Sequence, residues 1–528
     1  MTGPGRREPG SRSTRPRPSA PGPELAWWRR PSATFGSVVV LIAAVVLLTT
    51  AVAAPLPASP AALAVRAVPV QDATLVCPAP GGRGGSTTTD VSALSASGVS
   101  GAGSLTIAGL AAPTHPLVRS TGAVRAAGVE RIVPSGPLVV DGQGADAPGL
   151  AAAQVTATPA GSGRGVAGTA CVAPGVGFWF VGSGSSVGQR SRLYLTNPST
   201  AAAQVDVTLY GAKGPISTPS TQSLVVGPRT QRVLALDALA PGVGRLAVHV
   251  VVSVGTIAAA LYDTQVAGLV PRGIDWVPAA VSPGRTVVVP GVPGGGDGPR
   301  LLQILVPGAV SADVHVWLVS ASSTVTPLGL QSLVVPAGSL GQVDLARFTH
   351  GANVSVLLTS SVPVTAGVLS RRASQTSADT EIAYSAAVAP LSGPTPVPGI
   401  ADSSTTRTEL LLGATGAGAR VRVTPVAPAG TRGLSLAPVV VSVPSRTTVT
   451  VEIDRFVTGA RTGGWTAPGF GLVVTPLPGS GPVYATRQVT MTNAAGPMVT
   501  VVPLVTPVTT VSEPQVRRVL DSGPGLHD

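Results

Sequence analysis

One block recurs three times in this chain. It reads SLVVGPRTQRVLALDAL from Ser223, SLVVPAGSLGQVDLARF from Ser332 and VVVSVPSRTTVTVEIDRF from Val439. Each copy joins two Val-rich segments through a Pro-containing turn, which is typical of two β-strands and their connection. The copies return at an interval of about 108 residues, which indicates that a whole structural unit repeats and not a short motif.

Other strands of the unit repeat at the same interval. Apolar and polar residues alternate strictly over residues 205–210, 313–317 and 420–424, and this period of two marks a half-buried strand. Each unit also opens with a short segment ending in glycine, at Gly182, Gly291 and Gly399. We count about seven short strands per unit, which predicts an all-β chain of tandem immunoglobulin-like or fibronectin-like β-sandwiches. The alternative is a β-propeller in which each unit supplies two four-stranded blades.

The repeat sets the expected domain boundaries. Repeats 1, 2 and 3 are expected at residues 179–286, 287–395 and 396–505, after a diverged N-terminal β domain at residues 65–178. Residues 506–528 are expected to be a flexible tail.

The N-terminus has the composition of a membrane anchor. Residues 1–34 are rich in Arg, Pro and Gly and are expected to form a disordered basic cytoplasmic tail. Residues 35–54 then carry no charge and are long enough for a transmembrane helix or signal anchor. Arg29 and Arg30 flank this segment on its N-terminal side, so the positive-inside rule places the bulk of the chain outside the cytoplasm. The alternative is a cleaved signal peptide ending near Ala53, which would make the protein secreted.

Two cysteines, Cys77 and Cys171, follow the apolar segment. An extracytoplasmic location permits a disulfide between them, and two buried free thiols are the alternative. The formal charge of +12 is not concentrated in a basic face beyond the N-terminal tail, so we expect no nucleic-acid partner.

The sequence offers little enzymatic chemistry. Ser186 lies in a Gly-x-Ser-x-Gly pattern, but a strand follows it where a nucleophile elbow needs a helix. Asp237, Asp344 and Asp454 recur in the three copies of the block, and we interpret them as acceptors of turn hydrogen bonds. We therefore predict no catalytic residue, no cofactor and no metal, with a secreted hydrolase using Ser186 as the competing class.

Aromatic residues supply the candidate contact surface. His315 and Trp317 fall on the outward face of one strand, where a stacked aromatic ring can contact a sugar or a protein partner. Trp276 and Tyr384 correspond one period apart, in the connections between repeats. We interpret this second pair as a buried plug between domains.

Several segments resemble an exported family of high-GC Gram-positive bacteria, domain of unknown function 5719. They are CVAPGVGFWFVG from Cys171, LYLTNPSTAAAQVDVTLYGAKGP from Leu193, VVGPRTQRVLALDALAP from Val225 and GIDWVP from Gly273. The early Cys77-Pro78 pair also fits, and the resemblance spans roughly residues 70–500. It implies a location in the cell envelope and no assigned activity.

The functional expectation is a non-enzymatic, membrane-anchored envelope protein that acts as a binding or scaffold module. Its expected partners are the membrane, through the N-terminal helix, and an envelope protein or a cell-wall polysaccharide. A cell-wall glycan-binding protein is the first alternative. The sequence does not indicate an oligomeric state.

Overall fold

The structure is a computed structural model, and it describes residues 38–47, 66–81, 87–96, 101–121, 126–132, 136–375, 377–426, 437–453 and 470–513. Residues 38–47 form an exposed helix, α1, within the predicted membrane segment, and the rest of that segment lies outside the described residues. Among the described residues, no helix is both long and apolar enough to cross a membrane. The chain divides into two compact units, and the larger one comprises residues Ala67–Glu513.

The larger unit is built from strands, which confirms the all-β prediction. Its strands form four successive groups, here called the N-module and modules 1, 2 and 3. The N-module contains β2 (Asp72–Cys77), β3 (Thr88–Ser95), β4 (Gly103–Gly109), β5 (Ala112–Thr121), β6 (Ala126–Ile132), β7 (Leu138–Gly144), β8 (Leu150–Thr158) and β9 (Gly165–Ala170). Module 1 contains β10 (Gly177–Ser183), β11 (Gln189–Asn197), β12 (Ala203–Gly211), β13 (Gly214–Ile216), a 3-10 turn (Pro219–Thr221), β14 (Leu224–Val226), β15 (Thr230–Ala235), α2 (Leu236–Leu239), β16 (Leu246–Val254), β17 (Ala258–Ala267), β18 (Val270–Val277) and β19 (Ala279–Ala280).

Modules 2 and 3 repeat this plan. Module 2 contains β20 (Gly284–Val292), β21 (Arg300–Leu305), β22 (Ala312–Val319), β23 (Thr324–Val325), β24 (Leu333–Val335), β25 (Leu340–Asp344), α3 (Ala346–Thr349), β26 (Val354–Ala373) and β27 (Thr380–Ala386). Module 3 contains β28 (Thr395–Val397), β29 (Thr406–Ala414), β30 (Ala419–Val426), β31 (Val439–Val443), β32 (Thr447–Glu452), β33 (Gly471–Pro476), β34 (Val483–Asn493) and β35 (Gly496–Pro503).

In the N-module and in modules 1 and 3 the strands pair into two antiparallel sheets that share one apolar core, and in module 2 the long strand β26 joins all eight strands into one sheet around such a core. In the N-module the first sheet has the order β2-β7-β4-β5 and the second β6-β3-β8-β9. Module 3 has the same order, with β28-β33-β30-β31 and β32-β29-β34-β35. The first two strands of a module thus lie in different sheets, whereas the immunoglobulin constant-type order keeps them in one. The two-sheet arrangement is therefore observed, and the immunoglobulin-like detail is not confirmed.

Module 2 differs from the sequence prediction in one strand. Short strands were expected throughout, but β26 runs continuously through the segments VSVLL and VTAGVL, where module 1 has the two separate strands β16 and β17. Its first half pairs with β20 and β22 in one sheet, and its second half pairs with β21 and β27 in the other. Module 1 has a glycine with a positive φ angle, Gly255, between the corresponding strands β16 and β17, which lets the chain turn there.

The four modules contact one another in a closed cycle. The last strands of the modules meet at its centre, because β18 contacts β9 and β27, and β35 contacts the same two strands. The ends of the unit close the cycle as well, since β1 (Arg66–Pro69) pairs with β36 (Thr510–Glu513). Next to this pair, the Val70 amide donates to the Thr509 carbonyl at 3.1 Å. Strand β36 lies within the segment predicted to be a flexible tail, and residues 514–528 lie outside the described residues.

Glycines form the joints of this cycle. A Cβ atom added at Gly182 of module 1 would press on Tyr384 of module 2, and one added at Gly291 of module 2 would overlap Thr486 of module 3. A glycine also lies at each of the other two joints. Gly399 of module 3 faces Ser92 of the N-module, and Gly81 of the N-module faces Tyr262 of module 1. At three of the four joints, the glycine that contacts the next module is therefore the one that repeats in the sequence.

Candidate functional site

One carboxylate, that of Asp275, joins all four modules. It lies on β18 of module 1, is 0% exposed, and accepts a hydrogen bond from the Thr500 hydroxyl of module 3 at 2.7 Å. The Tyr384 amide of module 2 donates to it at 3.0 Å, and the Gly168 amide of the N-module lies at 3.4 Å. Each of the other modules thus supplies one donor to Asp275, which makes this residue the polar centre of the cycle.

Burial controls the charge of this centre. It raises the pKa of Asp275 well above its ordinary value, and the hydrogen bonds to the carboxylate oppose this shift. Burial also raises the pKa of Glu381, which lies on β27 and accepts bonds from the amides of Ile274 and Ile382 at 3.2 and 3.0 Å. The other oxygen of Glu381 has no partner among the described residues. Both carboxyl groups therefore bind a proton more readily in the folded protein than in the unfolded chain.

A second buried carboxylate, Asp263, joins modules 1 and 2. The Tyr384 hydroxyl donates to it at 2.6 Å, and the Ser191 hydroxyl donates to it at 2.7 Å. The side-chain amides of Gln189 and Gln265 donate to its second oxygen at 3.0 and 2.7 Å. Three of these donors belong to module 1, and the Tyr384 hydroxyl belongs to module 2. The hydrogen bonds therefore link the two modules, and both oxygens of Asp263 are bonded.

The plug between domains is present at both predicted positions. Tyr384 and Trp276 are 0% and 1% exposed, and Tyr384 packs into the core of module 1. Trp276 lies between the rings of Tyr194 and Tyr262. The Trp276 indole nitrogen has no hydrogen-bond partner among the described residues, so its polar tip is not satisfied as the plug interpretation expected.

The surface of the modules carries two stacked aromatic pairs. His315 stacks on Trp317 with ring centroids 3.7 Å apart and an interplanar angle of 9°. The His315 Nε2 atom lies 3.0 Å from the Thr326 hydroxyl, which fixes the orientation of the imidazole ring. Both rings are half-buried on the side of β22 that faces away from the core of module 2. We call this side of the first sheet in each module the outward face.

Module 1 carries the corresponding pair on its own outward face. Trp179 of β10 lies directly opposite His249 of β16, and the two rings stack at 3.5 Å with an interplanar angle of 8°. Tyr210 lies beside Trp179, at a centroid distance of 6.3 Å. Burial lowers the pKa of His249, which favours the neutral imidazole. Sequence analysis missed this pair because Trp179 and His249 are far apart in the chain, and only the strand register brings them together.

The remaining predicted residues fall in separate places. Cys77 and Cys171 form the predicted disulfide, at the core of the N-module. Asp344 has the turn role that was predicted, because it accepts bonds from the amides of Arg300 and Ala346 at 2.9 Å each. Asp237 has one buried oxygen without a partner among the described residues, so this oxygen does not have the same role. Asp454 lies outside the described residues.

Ser186 lies in the connection between β10 and β11. Among the described residues, its hydroxyl makes no hydrogen bond with a histidine or a carboxylate. The described part of the chain also contains no group of three or more His, Cys, Asp or Glu side chains that could hold a metal ion. We take the outward faces with their stacked rings as the candidate functional site, because these faces bring aromatic rings together in two modules.

Sequence reasoning also missed Asp275. The corresponding strands of the other modules, β9, β27 and β35, contain no aspartate, so this residue does not repeat. The one available signal was an aspartate within the apolar stretch GIDWVP, because a charged residue is rarely buried without partners.

One protein family matches most of this chain. The chain matches the profile of the family of unknown function DUF5719 over residues 118–454. No curated protein matches the chain. Among solved structures, it is similar to Streptomyces avermitilis alpha-L-rhamnosidase complexed with L-rhamnose, with 8% identity and a TM-score of 0.13. The alignment covers 77% of this chain and 54% of the rhamnosidase, so the chain spans about half the length of that enzyme. A TM-score this low does not indicate a shared fold.

Because the matched residues make up most of its length, the chain belongs to the family of unknown function DUF5719.

Proposed function

We propose that this protein is a non-enzymatic binding or scaffold module, displayed outside the cytoplasm and held by its N-terminal segment. The observation that carries the proposal is the Asp275 centre. There buried groups from all four modules meet at one carboxylate, with hydrogen-bond distances of 2.7–3.4 Å. Such a unit suits the rigid presentation of surfaces, since its modules cannot rotate freely without breaking buried hydrogen bonds.

The disulfide supports the extracytoplasmic location. Disulfides such as Cys77–Cys171 persist in oxidising compartments and are rare in the cytosol. The uncharged segment at residues 35–54, with Arg29 and Arg30 before it, supports the orientation. We further infer that each module is a variant of the immunoglobulin-like sandwich, supported by two antiparallel sheets around one core.

Protease shaving of intact cells tests the location. The proposal predicts that a C-terminal tag on the full chain is removed from outside, while an N-terminal tag stays protected. N-terminal sequencing of the mature chain then distinguishes a retained anchor from a cleaved signal peptide. Protection of the C-terminal tag would contradict the proposal. Purification of the full chain in detergent, followed by identification of the proteins and polymers that accompany it, tests the binding role.

Glycan binding is the second candidate function, and the stacked pairs favour it. An indole ring that stacks on an imidazole keeps its other face for a sugar ring, and Trp179 and Trp317 are both stacked in this way. Both are half-buried, and Trp179 also packs against a cluster that includes Leu305 and Leu340 of module 2. Pull-down of the full chain with isolated cell-wall polysaccharide should weaken in Trp317→Ala and in Trp179→Ala. Val310→Ala is the matched control, because Val310 is an exposed apolar residue of module 2 outside the pairs. Equal binding by all three variants would exclude a role of the stacked pairs.

A further inference from the structure

The N-module has an open polar groove on its outward face. The groove has a volume of about 190 Å³. Polar side chains from four neighbouring strands line it: Asp72 and Thr74 of β2, Asp141 and Gln143 of β7, Ser104 and Thr106 of β4, and Arg119 of β5.

The groove occupies the place that the stacked pair occupies in module 1. In the N-module, the strand ladder sets Asp141 between Thr74 of the first strand and Thr106 of the third strand. In module 1, the same three strands set His249 between Trp179 and Thr208. The same face of the same strands thus presents polar groups in one module and aromatic rings in another. In module 1 this face already makes a contact, because Tyr210 and Ala247 beside the pair pack against Leu305 and Leu340 of module 2.

Among the described residues, the charged groups of the groove form no ion pair with one another. The Thr74 hydroxyl donates to one oxygen of Asp141 at 2.6 Å, which orients the carboxylate. Arg119 is exposed and makes no ion pair or hydrogen bond with any other residue in the described part of the chain. Asp72 is exposed as well. The groove therefore offers free acceptors and free donors within the width of four strands, about 15 Å at the usual strand spacing.

This mixture of groups selects a class of ligand. The two carboxylates outnumber the one guanidinium and disfavour an anion, Arg119 offsets half of their attraction for a cation, and an apolar molecule would leave these groups without water. A sugar hydroxyl both donates and accepts, so neighbouring hydroxyls can bond to a carboxylate and a guanidinium at once. We propose that the groove binds a neutral saccharide. The proposal rests on the binding role proposed above and adds a site that does not involve the stacked pairs.

Calorimetric titration of the full chain in detergent tests the site. The probes are neutral oligosaccharides of glucose, mannose and galactose, with polygalacturonate and oligolysine as charged comparisons. At least one neutral oligosaccharide should bind. Asp141→Asn and Arg119→Ala should each weaken it by about tenfold to a hundredfold, because each removes a hydrogen bond to a charged group.

The control is Arg422→Ala, which removes an exposed arginine from the outward face of module 3. It should leave the affinity unchanged. Arg119→Ala removes an exposed side chain, so it tests the site even if Asp141→Asn disturbs the sheet. Three results would overturn the proposal: no binding of any neutral probe, preference for a charged probe, or binding that persists in both groove variants. Loss of binding in Trp317→Ala alone would overturn the groove while leaving the proposed glycan-binding function intact.

Discussion

Replacement of Gly291 by alanine should loosen the joint between modules 2 and 3. Gly291 has a φ angle of +63°, and an added Cβ atom would overlap Thr486 of β34. Alanine in this left-handed region costs about 1–2 kcal/mol. Forcing an extra methyl group into a packed contact costs a further 1–3 kcal/mol, roughly. The free energy of unfolding should therefore fall by about 2–5 kcal/mol in total.

Gly268 provides a matched control for the backbone cost. Its φ angle is +62°, but a Cβ atom added there would meet nothing within 4 Å. Gly268→Ala should therefore lose only the backbone contribution of about 1–2 kcal/mol. The difference between the two variants isolates the contact between modules, and we expect it to be about 1–3 kcal/mol.

Urea unfolding of the full chain in detergent, followed by tryptophan fluorescence, measures both variants under the same conditions. A double variant that adds Thr486→Ala to Gly291→Ala should recover part of the loss, because it removes the Thr486 hydroxyl, the atom nearest to the added Cβ. Equal losses in Gly291→Ala and Gly268→Ala would refute the reasoning, since the joint would then contribute nothing.

Four other predictions concern buried polar groups and the disulfide. Asp275→Ala leaves donors of three modules without an acceptor and should cost about 3–6 kcal/mol in the same urea assay, against about 1–3 kcal/mol for Asp275→Asn. Because the pKa values of Asp275 and Glu381 are raised in the folded state, the stability they contribute is present below about pH 4 and is lost as the pH rises through the folded pKa values. Glu381→Gln should flatten this decline as the pH rises above about 4, the usual range of an unfolded carboxyl group, and an unchanged slope would contradict the assignment. Tyr384→Phe removes the hydroxyl that donates to Asp263 and should cost about 1–3 kcal/mol in the urea assay. Replacing Cys77 and Cys171 together by serine opens a loop with a sequence separation of 94 and should cost about 3–5 kcal/mol in the loop-entropy model.

Much of the local architecture could be predicted from the sequence. The alternation of Val205, Val207 and Leu209 with polar residues is a direct consequence of one buried sheet face, and all three are buried in the core of module 1. The disulfide could be predicted because only two cysteines exist and both follow the apolar segment. The joint glycines repeat because every joint needs a residue without a Cβ atom.

The closed cycle could not be predicted in the same way. It depends on contacts between residues far apart in the chain, such as the Arg164 guanidinium bonded to the Gly496 carbonyl at 2.6 Å, across a sequence separation of 332. Local periodicity carries no information about such contacts. The strand order within a module could not be predicted either, because the same alternation of apolar and polar residues suits any sheet with one buried face.

The candidate site was predicted in part. The pair of His315 and Trp317 was visible because both residues lie on one strand, two positions apart. The pair of Trp179 and His249 needed the register of β10 against β16, and the groove needed the register of four strands. These are properties of pairing between strands, which a single sequence does not specify.

Distance measurement by spin labelling tests the closed cycle most directly. Both native cysteines are in the disulfide, so cysteines introduced at the exposed positions Ala160 and Ala494 are the only free thiols. The Asn493 side-chain amide donates to the Pro159 carbonyl at 2.9 Å, and Ala160 and Ala494 are the next residues in the chain. We therefore expect a distance of about 20 Å or less between the two labels, which allows each label to extend by one to two strand spacings. A string of four separate modules would hold the labels about 35 Å apart or more, since two modules, each about 17–20 Å long, would intervene. That longer distance would contradict the account.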